Sequence, residues 1–315
     1  MKLHHRIFTS TITVLGCLVL FWYSKALNGK RKFLPSEDAF GKVLTSENGV
    51  WYVEDENCQP RDNFVRAQLK WEESPTIFVY PTSIDKWVSG RIINEGKWEE
   101  HHIQRIHRIL RSDPSMIFLD IGSNVGAFSL TMAELGNPVI AVDALRDNTA
   151  RLCASMEINH LQNKISIIHN VLSFKREKVS LGKFYLNVGG TFVKHMGASA
   201  ESDSIVIDAI LLDDLLEIYR FKGRVVIKMD VESFEANVLR GAYKFFNHVN
   251  VDFILIEFMA HRGKESGDFI VKFLKQFGLE PEFSNGNHSS WPIDVWFMRP
   301  DKLKKNEIVL NHLHK

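Results

Sequence analysis

The distribution of apolar residues changes twice along this chain. Residues 7–23 are almost wholly apolar and carry no formal charge, residues 28–76 mix Gly, Asn, Asp, Glu and Pro with scattered aromatics and hold no period, and beyond Pro75 short apolar runs alternate with helical stretches. In that last part the pattern predicts strands at 116–121, 139–143, 165–170, 204–208, 225–230, 252–257 and 293–298. Helices are predicted at 127–135, 147–159, 234–247 and 266–277, and an amphipathic one at 99–110 precedes the first strand. Apolar strands separated by helices imply an α/β fold: a doubly wound, mostly parallel, seven-stranded sheet covered on both faces. The expected organisation is a membrane segment at 1–24, a stem and lead-in at 25–75, the folded domain at 76–300 and a tail at 301–315.

The run 7–23 has the length of a short transmembrane segment, since a helix rises about 1.5 Å per residue and the hydrocarbon core is about 30 Å thick. Trp22 and Tyr23 close it as an interfacial pair would, with Lys2 and Arg6 before it and Lys25, Lys30, Arg31 and Lys32 after it. A signal-anchor fits, and Ser24-Lys25-Ala26 keeps a cleaved signal peptide open. The basic excess after the run favours a cytosolic domain, whereas the sequon Asn287-His288-Ser289 suits a lumenal one. The expectation is a single-pass membrane protein whose domain faces the ER or Golgi lumen.

Charge narrows the partners. Lys and Arg total 39 against 38 Asp and Glu, so no positive field is available for a nucleic acid, and a small-molecule or glycan acceptor becomes the expected partner. Cys17, Cys58 and Cys153 lack C-x-x-C spacing and read as incidental thiols rather than a disulfide framework. His101, His102 and His107 fall on different faces of their helix and do not form a metal set; no metal is expected.

The strongest local signal is residues 118–130, an apolar strand, then Asp120, then a glycine turn with Gly122, Asn124 and Gly126 that opens a helix. Glycines permit a tight turn and close approach of a ligand, and the helix start offers unpaired amides. Asn124 and Ala127 stand where a dinucleotide fingerprint would have its second and third glycines, which argues against NAD. Asp120 would repel a pyrophosphate but suits the ammonium and sulfonium of S-adenosylmethionine. Asp143, closing the second strand, reads as a ribose carboxylate or as a turn cap. Asn170, with His169 and Val171, falls where an adenine edge would lie.

These residues resemble the FkbM-type methyltransferases, class I S-adenosylmethionine enzymes with a Rossmann-like sheet. The blocks carrying the likeness are 88–99, 119–126, 187–191 and 227–242, the last including Asp230, Glu232, Ser233 and Glu235. The resemblance implies transfer of a methyl group to a hydroxyl of a glycan, lipid or other small molecule. Ser233 occupies a position where the family usually has glycine; it reads here as the cap of the following helix. If that position needs a positive φ instead, turnover suffers, and a silent binding module of the same fold is the alternative.

Asp230 and Glu232 end the fifth strand and Glu257 the sixth, at the carboxyl edge where open α/β sheets bind ligands. Three gathered carboxylates can raise one another's pKa or bind a divalent cation. Asp230 is the expected acceptor-orienting group or base, with Glu232 and Glu257 in support, and Glu235 is expected to act only on the helix dipole. Lys228 reads as a snorkelling residue or a partner of these acids. The 187–195 stretch reads as a mobile turn with a candidate substrate role, and His195 as an alternative base.

Overall fold

The computed structural model describes residues 29–34, 36–54, 58–72, 74–184, 187–195, 205–283 and 287–301. The expected membrane segment, Cys17 and nearly all of the tail lie outside them; among the described residues no helix is long and apolar enough to cross a membrane.

The strands, in chain order, are β1 (Lys30–Lys32), β2 (Val43–Glu47), β3 (Val50–Glu54), β4 (Val65–Gln68), β5 (Thr76–Val79), β6 (Ile117–Ile121), β7 (Val139–Asp143), β8 (Ile165–His169), β9 (Val171–Leu172), β10 (Glu177–Phe184), β11 (Asn187–His195), β12 (Ile205–Ile210), β13 (Arg224–Met229), β14 (Asn250–Glu257), β15 (Glu280–Pro281) and β16 (Asp294–Met298). The helices are α1 (Val88–Glu95), α2 (Glu100–Arg111), α3 (Ala127–Glu134), α4 (Arg146–Ile158), α5 (Glu235–Arg240), α6 (Tyr243–His248) and α7 (Glu265–Gln276).

The central sheet runs β1-β3-β2-β8-β7-β6-β13-β14-β16-β15, ten strands rather than the seven expected. From β2 to β14 the pairing is parallel, and antiparallel strands close both ends. The difference comes from both sides of the expected list. Residues 30–54, read as stem, add β1 to β3 to the sheet; these strands are too short to show a period, and β2 is buried by pairing with β8. The 204–208 strand, conversely, is β12 of a separate four-stranded sheet, β11-β10-β12-β9, that stands over the carboxyl edge.

Strand parity sorts the core into two faces. Phe118, Ala141, Ile167 and Val226 pack against α1 to α4, whereas Leu119, Ile140, Ile168 and Ile227 pack against α5 to α7. Burial on both faces explains why β7 reads as continuous Val-Ile-Ala-Val. The helix expected at 234–247 breaks into α5 and α6 at Gly241, where a Cβ would lie 2.1 Å from the Ser173 carbonyl oxygen.

Two cysteines read as incidental are joined: Cys58 and Cys153 form a disulfide with their Cα atoms 5.0 Å apart across 95 residues of sequence. Spacing along the chain carries no sign of this pairing. It fastens the segment before β4 to α4, whose inner face supports the cleft described next.

Candidate active site

At the carboxyl edge, β6, β7, β8, β13 and β14 and the small sheet enclose a cleft of about 1350 Å³, mouth included. Gly122, Asn124, Asp143 and Asn170 line it on the side of β6 to β8, and Asp230, Glu232 and Glu257 on the side of β13 and β14, with Gly122 meeting Asp230 between them. Of the residues expected to be catalytic or cofactor-binding, Asp120 and Gly126 do not reach the lining.

The loop after β6 turns at Gly122 (φ 80°) and again at Gly126 (φ 91°). A Cβ on Gly122 would come within 1.8 Å of the Asp230 carbonyl oxygen, and one on Gly126 within 2.3 Å of Leu152 Cδ1. These glycines therefore let three layers of chain close on one another. Gly126 is the N-cap of α3 and supplies no side-chain cap; the Ser129 amide in the first turn is taken by Asp120, while Ala127 and Phe128 line the cleft. Ser123 Oγ, buried and without a hydrogen-bond partner among the described residues, stands in the same loop.

Asp120 shares the face of Phe118 and turns under the loop, not into the cleft. Ser129 Oγ donates to its Oδ2 at 2.6 Å, and Lys228 Nζ lies 3.9 Å from its Oδ1. Burial raises its pKa, with Lys228 and Ser129 opposing. It holds the loop from beneath.

Asp143 is the turn cap of one reading and also lines the cleft, as the other requires. Its Oδ2 accepts from the Asn124 amide (2.8 Å), and its Oδ1 from the Leu145 amide (2.8 Å) and Asn148 Nδ2 (3.0 Å), so it fixes the glycine loop and its own turn while lining the cleft. Burial pushes it up to about 6, against the pull of those donors. Asn170 contributes wall: its Nδ2 donates to the carbonyls of Ser46 and Asp208 and its Oδ1 accepts from the Ser46 amide, which leaves little amide edge for reading a base.

Lys228 is a partner, not a snorkel. Sharing the parity of Val226, it rises beside Phe128, donates to the Gly122 carbonyl (2.9 Å) and lies 3.3 Å from Asp230 Oδ2. Burial works against its charge, but Asp230, then Asp120 and Glu99, outweigh it and hold the ammonium above its ordinary pKa. It is the only basic residue lining the cleft among the described residues.

Around it the acids crowd. Glu257 is pushed up to about 8 by burial and then by Asp230, Glu235, Glu232 and Asp294. Glu232 is pushed up to about 7 by burial, Asp230 and Glu235. Glu99, which the sequence reading passed over, lines the same end; burial, with Asp230 and Asp294 beyond the opposing Lys228, brings it to about 7. Asp294, likewise passed over, stands opposite Glu257 in the β14–β16 pair, and His102 Nε2 lies 3.1 Å from its Oδ2. Trp87, Trp98 and Ile293 complete this wall. Carboxyl oxygens of Asp230, Glu235 and Glu257 fall within 4.8 Å of one another and could hold a metal ion.

Backbone strain gathers here as well. Glu99 (φ 40°), Asn124 (φ 51°) and Glu232 (φ 53°) are left-handed and line the cleft, and Ser233 (φ 75°) follows directly. Ser233 is therefore not the helix cap expected of it; α5 begins at Glu235 with Phe234 as N-cap and no side-chain cap. Position 233 needs the conformation that glycine adopts without cost. Glu235 also does more than meet a helix dipole: fully buried, it accepts from the Val231 amide (2.9 Å) and lies 2.6 Å from His261 Nε2, tying the loop after β13 to the one after β14. The 187–195 stretch is the regular strand β11, not a mobile turn, and Gly189 and Thr191 line the cleft. His195 ends it opposite Val179, its side chain outside what is described.

The chain matches the methyltransferase FkbM domain over residues 120–281, just over half its length. No curated protein matches. Similar solved structures include magnesium protoporphyrin IX methyltransferase from Synechocystis PCC 6803 with bound S-adenosylmethionine (14% identity, 66% of this chain and 88% of that one, TM-score 0.37). A putative caffeoyl-CoA O-methyltransferase from Staphylococcus aureus is similar at 10% identity, over 64% and 83%, with TM-score 0.39. The precorrin-6y C5,15-methyltransferase of Geobacter metallireducens GS-15 is similar at 9%, over 62% and 87%, with TM-score 0.35. With its glycine loop, orphaned Ser123 hydroxyl and Asp143 set around one end of the cleft, the chain belongs to the FkbM methyltransferase domain family, and its cofactor is S-adenosylmethionine.

Proposed function

We propose that the protein is an O-methyltransferase acting on a hydroxyl of a glycan or lipid-linked small molecule. The observation that carries this reading is the convergence of Asp230, Glu232 and Glu257 on the cleft end opposite Asp143, with Glu257 near 8 and Glu232 near 7. S-adenosylmethionine supplies a methyl group on a sulfonium. The chain would supply the rest: the start of α3 and Ser123 would hold a carboxylate and amino-acid portion, Asp143 a ribose, and Lys228 fixes Asp230 so that its carboxylate would orient the acceptor hydroxyl. As the C–O bond formed and the C–S bond of the sulfonium broke to release the thioether, the hydroxyl proton would pass to a carboxylate whose proton affinity matches neutral solution, Glu257 or Glu232. Alignment of the two reactants supplies much of the acceleration.

Replacement Asp230→Ala tests the reading with labelled S-adenosylmethionine and a panel of glycan and lipid hydroxyl acceptors. Methyl transfer falls at least ~100-fold while cofactor affinity, read by calorimetry, stays within a few-fold. A second reading, a silent binding module, is favoured by one observation, serine at φ 75° where glycine fits; tight cofactor binding with no acceptor methylated by the unaltered protein would establish it.

We also place the domain in the lumen of the secretory pathway. The Cys58–Cys153 disulfide supports an oxidising compartment, and the sequon residue Asn287 is exposed. Glycosidase treatment of the protein from cells is expected to increase its gel mobility, an increase lost in Asn287→Gln; failure to shift, together with free thiols at Cys58 and Cys153, would return the domain to the cytosol.

A further inference from the structure

The mouth of the cleft carries exposed apolar side chains beside its acids. Its acceptor end is rimmed by Trp87, 62% exposed, and Ile293, 49% exposed, and Met259, 56% exposed, follows two residues after Glu257. Beside it lies a second cavity, separated by Leu145 and Val188, which line both. The second cavity's own rim carries Ile84, Ile205 and Val206, all exposed. Nearly half of the large apolar residues exposed among those described therefore border these two mouths.

One loop between β5 and α1 supplies Ile84 and Trp87, and its exposure is built in. Asp85, wholly buried between them, accepts from the Ser89 amide (2.8 Å), the Ser89 hydroxyl (2.6 Å) and the Trp87 amide (3.3 Å). With Asp85 held inward, its neighbours Ile84, Lys86 and Trp87 face solvent. An apolar side chain, a lysine and a tryptophan in this order match what headgroup boundaries attract.

The described chain begins close to the same edge, although β1 runs parallel to β8 and is entered from its amino side. Arg31 pairs with Val53, Val53 with Leu44, Leu44 with Ile168 and Ile168 with Val142, so β1 stands level with the last turns of β8 and β7. Lys30 lies 3.8 Å from Glu54, which holds His169 at 2.8 Å, and His169 lines the second cavity. From the end of the apolar run at Tyr23 to Lys30 the chain spans at most about 25 Å. A bilayer holding residues 7–23 thus lies within reach of the edge on which both mouths open.

We propose that the protein is an interfacial enzyme: the rim formed by Ile84, Trp87, Ile205, Val206 and Ile293 rests in the headgroup boundary of the membrane that carries its N-terminal segment. The acceptor hydroxyl then belongs to an amphiphile resident in that membrane and enters the cleft sideways from the bilayer, a consequence that rests on the O-methyltransferase reading and on residues 7–23 being retained as an anchor. The docking itself depends on the anchor and the rim alone.

The test uses the full chain reconstituted in vesicles whose acyl chains carry bromine, which quenches indole fluorescence only within the boundary region. Trp87→Phe and Trp22→Phe identify by difference the emission of each residue among the seven tryptophans. Quenching of the Trp87 component sustains the proposal. A quenched Trp22 with an unquenched Trp87 overturns it while leaving the anchor in place, and absence of quenching at both overturns proposal and anchor together. None of these outcomes depends on methyl transfer, so failure of the docking and failure of the O-methyltransferase reading are read separately.

Discussion

The two ends of the cleft are built on opposite principles. At the Asp143 end, polar groups are matched apart from the Ser123 hydroxyl: Asp143 takes three donors, Asn124 lends its amide to Asp143, and the glycine turns are closed by packing at Gly122 and Gly126. At the acceptor end, Glu99, Asp230, Glu232, Glu257 and Asp294 face a single lining lysine, and no hydrogen bond reaches the carboxyls of Glu99, Glu232 or Glu257 among the described residues. The first end is finished as a binding mould. The second holds unspent proton affinity, which a substrate with a hydroxyl can use.

The sharpest break of this contrast is Gly122→Ala. The new Cβ would meet the Asp230 carbonyl, which cannot yield without moving the acceptor-side loop, so both cofactor binding and native stability are lost; calorimetry with S-adenosylmethionine and a thermal melt check this. A smaller effect separates the ends by pH. Glu257 and Glu232 have folded pKa values above the ordinary 4.5, so the native state keeps protons that the unfolded chain releases. Their contribution to stability is complete below about pH 4.5 and disappears as pH rises through 7 and 8. The melting temperature is expected to fall by a few degrees from pH 5 to pH 9, and Glu257→Gln to remove the largest single share of that slope; an unchanged slope would show that the proton sits elsewhere. The smallest effect is a gain: Ser233→Gly relieves a left-handed serine and raises stability by about 1 kcal/mol, or about 3 °C.

The same contrast governs what the sequence discloses. The cofactor end is contiguous: strand, Asp120, Gly122, Gly126 and Asp143 follow one another within β6 to β7, and local chemistry dictates them. Even there Asp120 faces down, because parity along β6 decides its side and the glycine motif does not. The acceptor end is assembled from afar. Trp87, Trp98, Glu99 and Asp294 lie outside residues 120–281, and only the register of β16 on β14 brings Asp294 to Glu257. Ser233 shows a different limit: a residue that favours caps was read as a cap, but backbone φ is fixed by the loop, and Glu235 with His261 pins that loop from inside. β1 to β3 escaped notice because strands of three to five residues draw their burial from partners far along the chain.

The surplus of acid also bears on turnover. A donor arrives with its methyl on a sulfonium, and the spent thioether leaves without that positive charge. A cleft lined by five carboxyl groups and one lysine at its acceptor end attracts the first more than the second. Exchange of used cofactor for fresh is thereby biased by the same side chains to which the proposed reaction assigns the acceptor's proton.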